Sequence, residues 1–133
     1  MPMSPSNDVV FVLNNVFFEY NEEKNRYYIK KHGLSFQTAA RVFFDYDRIE
    51  MYDEENSQDE DRYDTIGDTS AGNVLAGSTI IGNVTRSDRM INDILFVVYT
   101  ERERIEANGT ITDVTRLISA RMATPVERRI YYG

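Results

Sequence analysis

The residues from Ile94 to Thr100 read ILFVVYT and form the strongest strand pattern in the chain. Most of them are β-branched or aromatic, and no glycine or proline interrupts them, which favours a pleated strand. Asn108-Gly109, a few residues later, is a typical pair for a tight hairpin turn. The stretch from Thr110 to Ala120 then predicts the returning partner strand, so this part of the chain predicts an antiparallel hairpin.

Two helices are predicted upstream of that hairpin. The segment Glu22 to His32 is polar and basic, and Gly33 follows it where a helix can end in a left-handed residue. Ser35 can cap a second helix, because its hydroxyl can accept a hydrogen bond from a free backbone N–H of the first turn. The second helix has one apolar stripe at helical spacing, formed by Phe36, Ala39, Ala40 and Phe43.

The other elements complete one domain over residues 1–133. Val9 to Tyr20 predicts a strand, or two short strands broken near Asn14-Asn15. Further strands are predicted at Ile49–Tyr52 and Tyr63–Ile66, joined by an acidic loop. At the end, the sequence Thr124-Pro125-Val126-Glu127 predicts a capped final helix. This order predicts an α+β fold with helices packed on a mostly antiparallel sheet.

Composition excludes several classes of protein. The chain has 133 residues, no cysteine and one histidine, which rules out disulfides and thiolate metal sites. We therefore expect no metal and no other cofactor. The apolar run from Val9 to Leu13 is too short to cross a bilayer, and the N-terminus lacks the basic stretch of a secretory signal. These features predict a cytoplasmic protein without a membrane partner.

The charge, −7 in total, is unevenly distributed. Five basic residues and no acid lie between Lys24 and Arg41, and four arginines against one acid lie between Val114 and Gly133. The segment Asp45 to Asp64 holds ten acids and only two arginines. Segregated charge suggests separate surfaces for separate partners, with the acidic segment away from the basic ones. The alternative is a solvated surface whose charge is uneven without a functional reason.

The sequence contains no phosphate-binding glycine loop, nucleophile elbow or paired-histidine zinc motif. The candidate catalytic residues are instead scattered along the chain: Lys31, His32, Glu60, Arg62, Arg102 and Arg121. These residue types can supply the base, the acid and the cations that RNA cleavage needs without a metal. Structural alternatives exist for each of them. Lys31 and His32 can interact with a helix dipole, Glu60 and Arg62 can form a surface ion pair, and Arg121 can flank the final helix.

Four segments of the chain, in order, resemble one known family. The first includes Phe18-Glu19-Tyr20-Asn21, Lys24 and Lys31-His32-Gly33-Leu34-Ser35-Phe36, and the second has Glu60, Arg62, Ile66 and Gly67. The third is Val97-Val98-Tyr99-Thr100-Glu101-Arg102, and the fourth is Ile118-Ser119-Ala120-Arg121 followed by Glu127-Arg128 and Tyr131. Together they resemble the BrnT toxins of type II toxin–antitoxin systems.

This resemblance implies a RelE-like fold and metal-independent endoribonuclease activity by attack of the RNA 2′-hydroxyl, leaving a 2′,3′-cyclic phosphate. Lys31, Arg62, Arg102 and Arg121 would then bind the phosphate, and His32 or Glu60 would move protons. The resemblance also implies a BrnA-like antitoxin as partner, and contact with promoter DNA only through that antitoxin. A homodimer or a heterotetramer is compatible with this arrangement.

The chain departs from the family pattern at Tyr20, Tyr28 and Asn56, where the family has Trp, Asn and His. Residues 1–16 form an N-terminal extension, residues from about 76 to 94 an insertion, and the hairpin around Asn108-Gly109 is longer. One alternative function is therefore a catalytically weakened BrnT-like module that binds protein. Another is a stand-alone domain whose insertions build a homodimer.

Overall fold

A computed structural model describes residues 7–70 and 93–133 of the chain and confirms the predicted α+β class. In chain order the elements are β1 (Asp8–Leu13), β2 (Val16–Asn21), α1 (Glu22–His32), α2 (Phe36–Ala39), a 3-10 helix (Ala40–Phe44), β3 (Ile49–Tyr52), β4 (Tyr63–Asp68), β5 (Ile94–Ile105), β6 (Ile111–Met122) and α3 (Pro125–Tyr132). Most of the predicted insertion at about 76–94 lies outside the described residues. None of the helices in the described ranges has the length and apolar character needed to cross a membrane.

The strands form one sheet in the order β1-β2-β6-β5-β4-β3. All neighbouring strands are antiparallel except β2 and β6, which pair in parallel through Phe18 with Thr115 and Glu19 with Arg116. The predicted break at Asn14 and Asn15 is confirmed, because both have positive φ angles, 49° and 66°, as a tight two-residue turn requires. Strand β1 belongs to the predicted N-terminal extension, and it forms one edge strand of the sheet.

The helix ends follow the sequence. Asn21 caps α1 by accepting a hydrogen bond from the Lys24 backbone N–H at 3.0 Å, and Gly33 ends that helix with a φ of 68°. Ser35 caps α2 as predicted, but the chain tightens into a 3-10 helix after Ala39. The predicted apolar stripe is still used, since all four of its residues pack in the core.

Side chains of a strand alternate between the two faces of a sheet, and here the faces differ in chemistry. The face covered by α1, α2 and the 3-10 helix contains the main core, whose largest fully buried members include Phe18, Phe36, Leu13 and Leu34. Helix α3 covers one end of the opposite face, where Tyr131 packs near Ile66, Ile94 and Phe96. The rest of that opposite face carries charged side chains, and we call it the open face.

A β-bulge in β6 decides which arginines reach the open face. Val98 pairs with Ser119, but the next residue, Tyr99, pairs with Leu117, so that Ile118 is an extra residue. Arg116 and Arg121 are five positions apart and would lie on opposite faces of a regular strand. Because of the bulge they pair with Thr100 and Phe96, which are four positions apart on β5, and both point to the open face.

Candidate functional site

Glu19 lies at one side of a group of ion pairs on the open face. Its side chain is largely buried, and its carboxylate lies 3.3 Å from Nη1 of Arg116 and 3.6 Å from Nη1 of Arg102. Nη2 of Arg116 also donates to Asp8 at 3.0 Å. The pKa of Arg116 is raised because its hydrogen bonds and charge contacts with Asp8 and Glu19 outweigh its burial, which acts in the opposite direction. A carboxylate held in the sheet therefore fixes the positions of two guanidinium groups.

Glu60, Arg62 and Arg102, three of the residues singled out in the sequence, lie together on this face. Nη2 of Arg102 donates to both Glu60 oxygens, at 3.2 and 3.4 Å, and Nη2 of Arg62 lies 3.8 Å from Glu60. The loop before β4 is held in place because the Thr100 hydroxyl donates to the Asp61 carbonyl at 2.6 Å. The expectation that the acidic segment lies away from the basic segments is wrong for its second half, because Arg121 lies close enough to Asp64 to influence the pKa of that carboxyl group.

Lys24 joins the same face from the first turn of α1. Its Nζ donates at 2.6 Å to the backbone carbonyl of Ile118, the extra residue of the bulge. The pKa of Lys24 is lowered, first by burial and then by the positive charges of Arg116 and Arg62. Neither Lys24 nor Arg116 was among the site residues predicted from sequence. Their positions depend on the bulge and on the parallel pairing of β2 with β6, and neither feature has a local sequence signal.

Arg121 occupies the other end of the open face, beside α3. Its guanidinium makes two hydrogen bonds to Glu127, at 2.7 and 2.9 Å, and lies 4.2 Å from the centre of the Phe96 ring. The pKa of Glu127 is lowered, chiefly by its hydrogen bond with Arg121. Glu127 also accepts from the Thr124 backbone N–H and completes the predicted capping box. Arg121 is thus held rigidly by the helix that it flanks.

Asp64 lies between these two groups of cations and was not predicted as a site residue. It pairs with Val98 on β5, which in turn pairs with Ser119 on β6. Its Oδ1 atom is buried and has no hydrogen-bond partner among the described residues. The pKa of Asp64 is raised to about 6, first by burial and then by a hydrogen bond and a charge contact with Asp53, and Arg121 opposes the shift.

Lys31 and His32 are not brought together with the other predicted residues. Both are exposed in the last turn of α1, just before the capping residue Gly33. Nζ of Lys31 donates to the Tyr27 hydroxyl at 2.9 Å and lies 5.3 Å from the centre of that ring. Within residues 7–70 and 93–133, neither side chain makes a polar contact with Glu60, Arg62, Arg102 or Arg121. The structure is compatible with their helix-end interpretation, and a catalytic role for them stays a prediction.

The open face thus carries a line of cations, Lys24, Arg62, Arg102, Arg116 and Arg121, interleaved with carboxylates. Arg116 and Arg121 pair with Thr100 and Phe96, which are four residues apart on β5. Their positions along the strand are therefore about 13 Å apart, at a rise of about 3.3 Å per residue. Guanidinium groups spaced along a strand can contact phosphate oxygens in pairs. In the described part of the chain, no group of three or more histidine and acidic side chains has the arrangement of a metal site.

The chain matches a protein-family model over residues 20–92, and that family is described as "Ribonuclease toxin, BrnT, of type II toxin-antitoxin system". The comparison with individual curated proteins gives no match. The matched segment extends from the end of β2 through β4 and includes Lys24, Glu60, Arg62 and Asp64. It covers more than half of the 133 residues. The chain therefore belongs to the BrnT family of ribonuclease toxins of type II toxin–antitoxin systems.

Proposed function

We propose that this chain is an endoribonuclease that binds and cleaves RNA on its open face. The observation that carries this proposal is the convergence of five cations, from three separate elements and one loop, on a single face of the sheet. Cations that point to one face can hold an RNA backbone, and preorganised cations stabilise the charge that develops on a phosphate during cleavage.

The proposed reaction is an attack by the RNA 2′-hydroxyl on the adjacent phosphorus, with release of the 5′-oxygen. The scissile phosphate would lie between Arg121 at one end and Arg62, Arg102 and Arg116 at the other. Glu60 is in a position to move a proton, because its ion pairs with Arg102 and Arg62 fix the carboxylate beside this region. The products would be a 2′,3′-cyclic phosphate and a free 5′-hydroxyl.

The family implies an antitoxin partner. We further propose that it is a BrnA-like protein and that it covers the open face with acidic or apolar side chains. The chain's own ion pairs support this proposal, since Glu19, Glu60 and Glu127 already occupy the arginines of this face as an inhibitor's carboxylates would. Promoter DNA would then be bound through the antitoxin.

A second candidate function is a catalytically weakened module that binds only protein. The same ion pairs favour it, because each open-face arginine has a carboxylate within 4 Å and RNA must compete with those carboxylates. Incubation of the purified, antitoxin-free chain with RNA separates the two functions. The proposed ribonuclease produces cleaved RNA with cyclic phosphate ends, whereas the binding module leaves the RNA intact and still binds the antitoxin.

His32→Gln is expected to change the rate of RNA cleavage by less than about threefold. His32 is exposed, ends α1 and makes no polar contact with the open-face residues in the described ranges. A residue at a helix terminus contributes under about 1 kcal/mol to stability when it is exposed. Initial rates of the wild type and the variant between pH 5.5 and 8, chosen to span the usual titration of histidine, check this expectation. A loss of about a hundredfold, the usual contribution of a positioned acid or base, would instead place His32 in the reaction.

A further inference from the structure

The carboxyl group of Asp64 is placed at the middle of the open face, where it contacts the carboxyl group of Asp53. Its side chain points to the same face as those of Ser119 and Arg121, because Asp64, Val98 and Ser119 are paired across three neighbouring strands. The buried Oδ1 atom receives no hydrogen bond from the described residues. A buried polar atom normally has a partner, so an unpartnered one calls for a physical explanation.

The surroundings of Asp64 disfavour its ionised form. Asp53, which follows β3, and Glu127 of α3 both face it with negative charge, and Arg121 of β6 is the opposing positive charge. The neighbour on β5 is the uncharged Val98. The carboxyl groups of Asp64 and Asp53 share a hydrogen bond, which requires one of them to be protonated, and this contact raises the pKa of Asp64 and lowers that of Asp53. Titratable groups kept in such surroundings occur most often at functional sites.

We propose that Asp64 is the general base of RNA cleavage on the open face, an inference that rests on the proposed ribonuclease function. Its carboxylate takes the proton of the 2′-hydroxyl while the 2′-oxygen forms a bond to phosphorus. The bond between phosphorus and the 5′-oxygen breaks, and the departing 5′-oxygen takes a proton from water, a transfer that Glu60 can assist. Arg121 pairs with Phe96, two residues along β5 from Val98, so its guanidinium lies at the next position of the same face and can stabilise the phosphate charge.

The test compares the wild type with Asp64→Asn, which preserves the shape of the side chain and removes the base. The cleavage rate of Asp64→Asn is expected to fall about a hundredfold, the usual effect of losing a positioned acid or base. The wild-type rate should rise with pH up to about 6 and then level off, because the ionised form of Asp64 is the active one and its pKa is raised to that value. The variant should lose this rise. Asp59→Asn is the matched control, since Asp59 is an exposed acid of the loop before β4.

The same variant has an expected effect on stability that needs no RNA. The pKa of Asp64 in the folded chain, about 6, lies above its ordinary value of 3.8, so the folded state disfavours the carboxylate. Ionisation therefore destabilises the folded wild type progressively as the pH rises from 4 to 6, and the loss is then constant. Asp64→Asn should have a higher Tm than the wild type at pH 7.5 and an equal Tm at pH 3.5. A purely structural aspartate would instead make the variant less stable at both pH values.

The outcomes separate this inference from the proposed function. If the wild type cleaves RNA and Asp64→Asn cleaves it at the same rate and with the same pH profile, the role of Asp64 is overturned. The proposed ribonuclease function then still stands. Intact RNA with the folded wild type would overturn the ribonuclease function and this role with it. If Asp64→Asn does not fold, the stability expectation is wrong, and Asp64→Ser then tests the rate. A folded Asp64→Ser protein with wild-type activity would also overturn the proposal.

Discussion

Arg121→Ala is expected to lower the rate of RNA cleavage by about a hundredfold or more, and to relieve the growth arrest that we expect when bacteria express the chain without its antitoxin. The physical reason is the loss of a preorganised, charge-assisted contact to the transition state, which is worth a few kcal/mol. Arg121 is suited to that role because Glu127 and the Phe96 ring fix its orientation before RNA binds. Growth curves and cleavage rates of the purified variant check the expectation.

Two control variants make the Arg121 result specific. Arg26→Ala removes an arginine of similar charge from the exposed face of α1, where its ion pair with Glu22 is 3.3 Å long, and should leave the activity unchanged. Glu127→Gln keeps the capping interaction of α3 but weakens the contact that orients Arg121, so it should lower the cleavage rate by less than Arg121→Ala does. Activity equal to that of the wild type in a folded Arg121→Ala protein would contradict the role of this residue.

Phe18→Ala is expected to destabilise the chain by about 3–5 kcal/mol, the usual cost of truncating a buried phenylalanine. Phe18 is fully buried, and its ring centre lies 5.4 Å from that of Phe11 and 5.5 Å from that of Phe43. The change leaves a cavity between the sheet and the 3-10 helix that these rings cannot fill without moving. The loss is a large share of the total stability of a small domain, which is about 5–15 kcal/mol.

Chemical denaturation of Phe18→Ala and Phe17→Ala measures this effect with a control from the same strand. Phe17 is 39% exposed and points to the other face of the sheet, so its truncation should cost much less. Equal losses of unfolding free energy in the two variants would contradict the face assignment of β2. The same assignment places Glu19, which shares the face of Phe17, among the arginines of the open face.

The fold was predictable from sequence where its determinants are local. The turn between β5 and β6, the cap at Ser35 and the capping box at Thr124 all depend on residues within a few positions of one another. The strand boundaries were less accurate, because β5 continues to Ile105 and β6 to Met122. In this hairpin the cross-strand hydrogen bonds, rather than the residue types, determine the strand ends.

The candidate site was predictable only in part. Glu60, Arg62 and Arg102 were identified, and the structure places them within ion-pair distance. Lys24 and Arg116 were missed because their shared face depends on an extra residue in β6 and on a pairing between strands that are distant in sequence. Asp64 was missed because it appeared as one acid among ten in its segment. The burial of its Oδ1 atom and that atom's lack of a partner among the described residues exist only in the folded chain.

The central claim is that the open face cleaves RNA, and the most direct test is the reaction of purified, antitoxin-free wild-type chain with a defined RNA, analysed at the ends of the products. The account predicts internal cleavage that leaves 2′,3′-cyclic phosphate and 5′-hydroxyl ends, and it predicts that Arg121→Ala removes most of this activity. Intact RNA after incubation with the folded wild-type chain, or cleavage that is equally fast in folded Arg121→Ala, would contradict it.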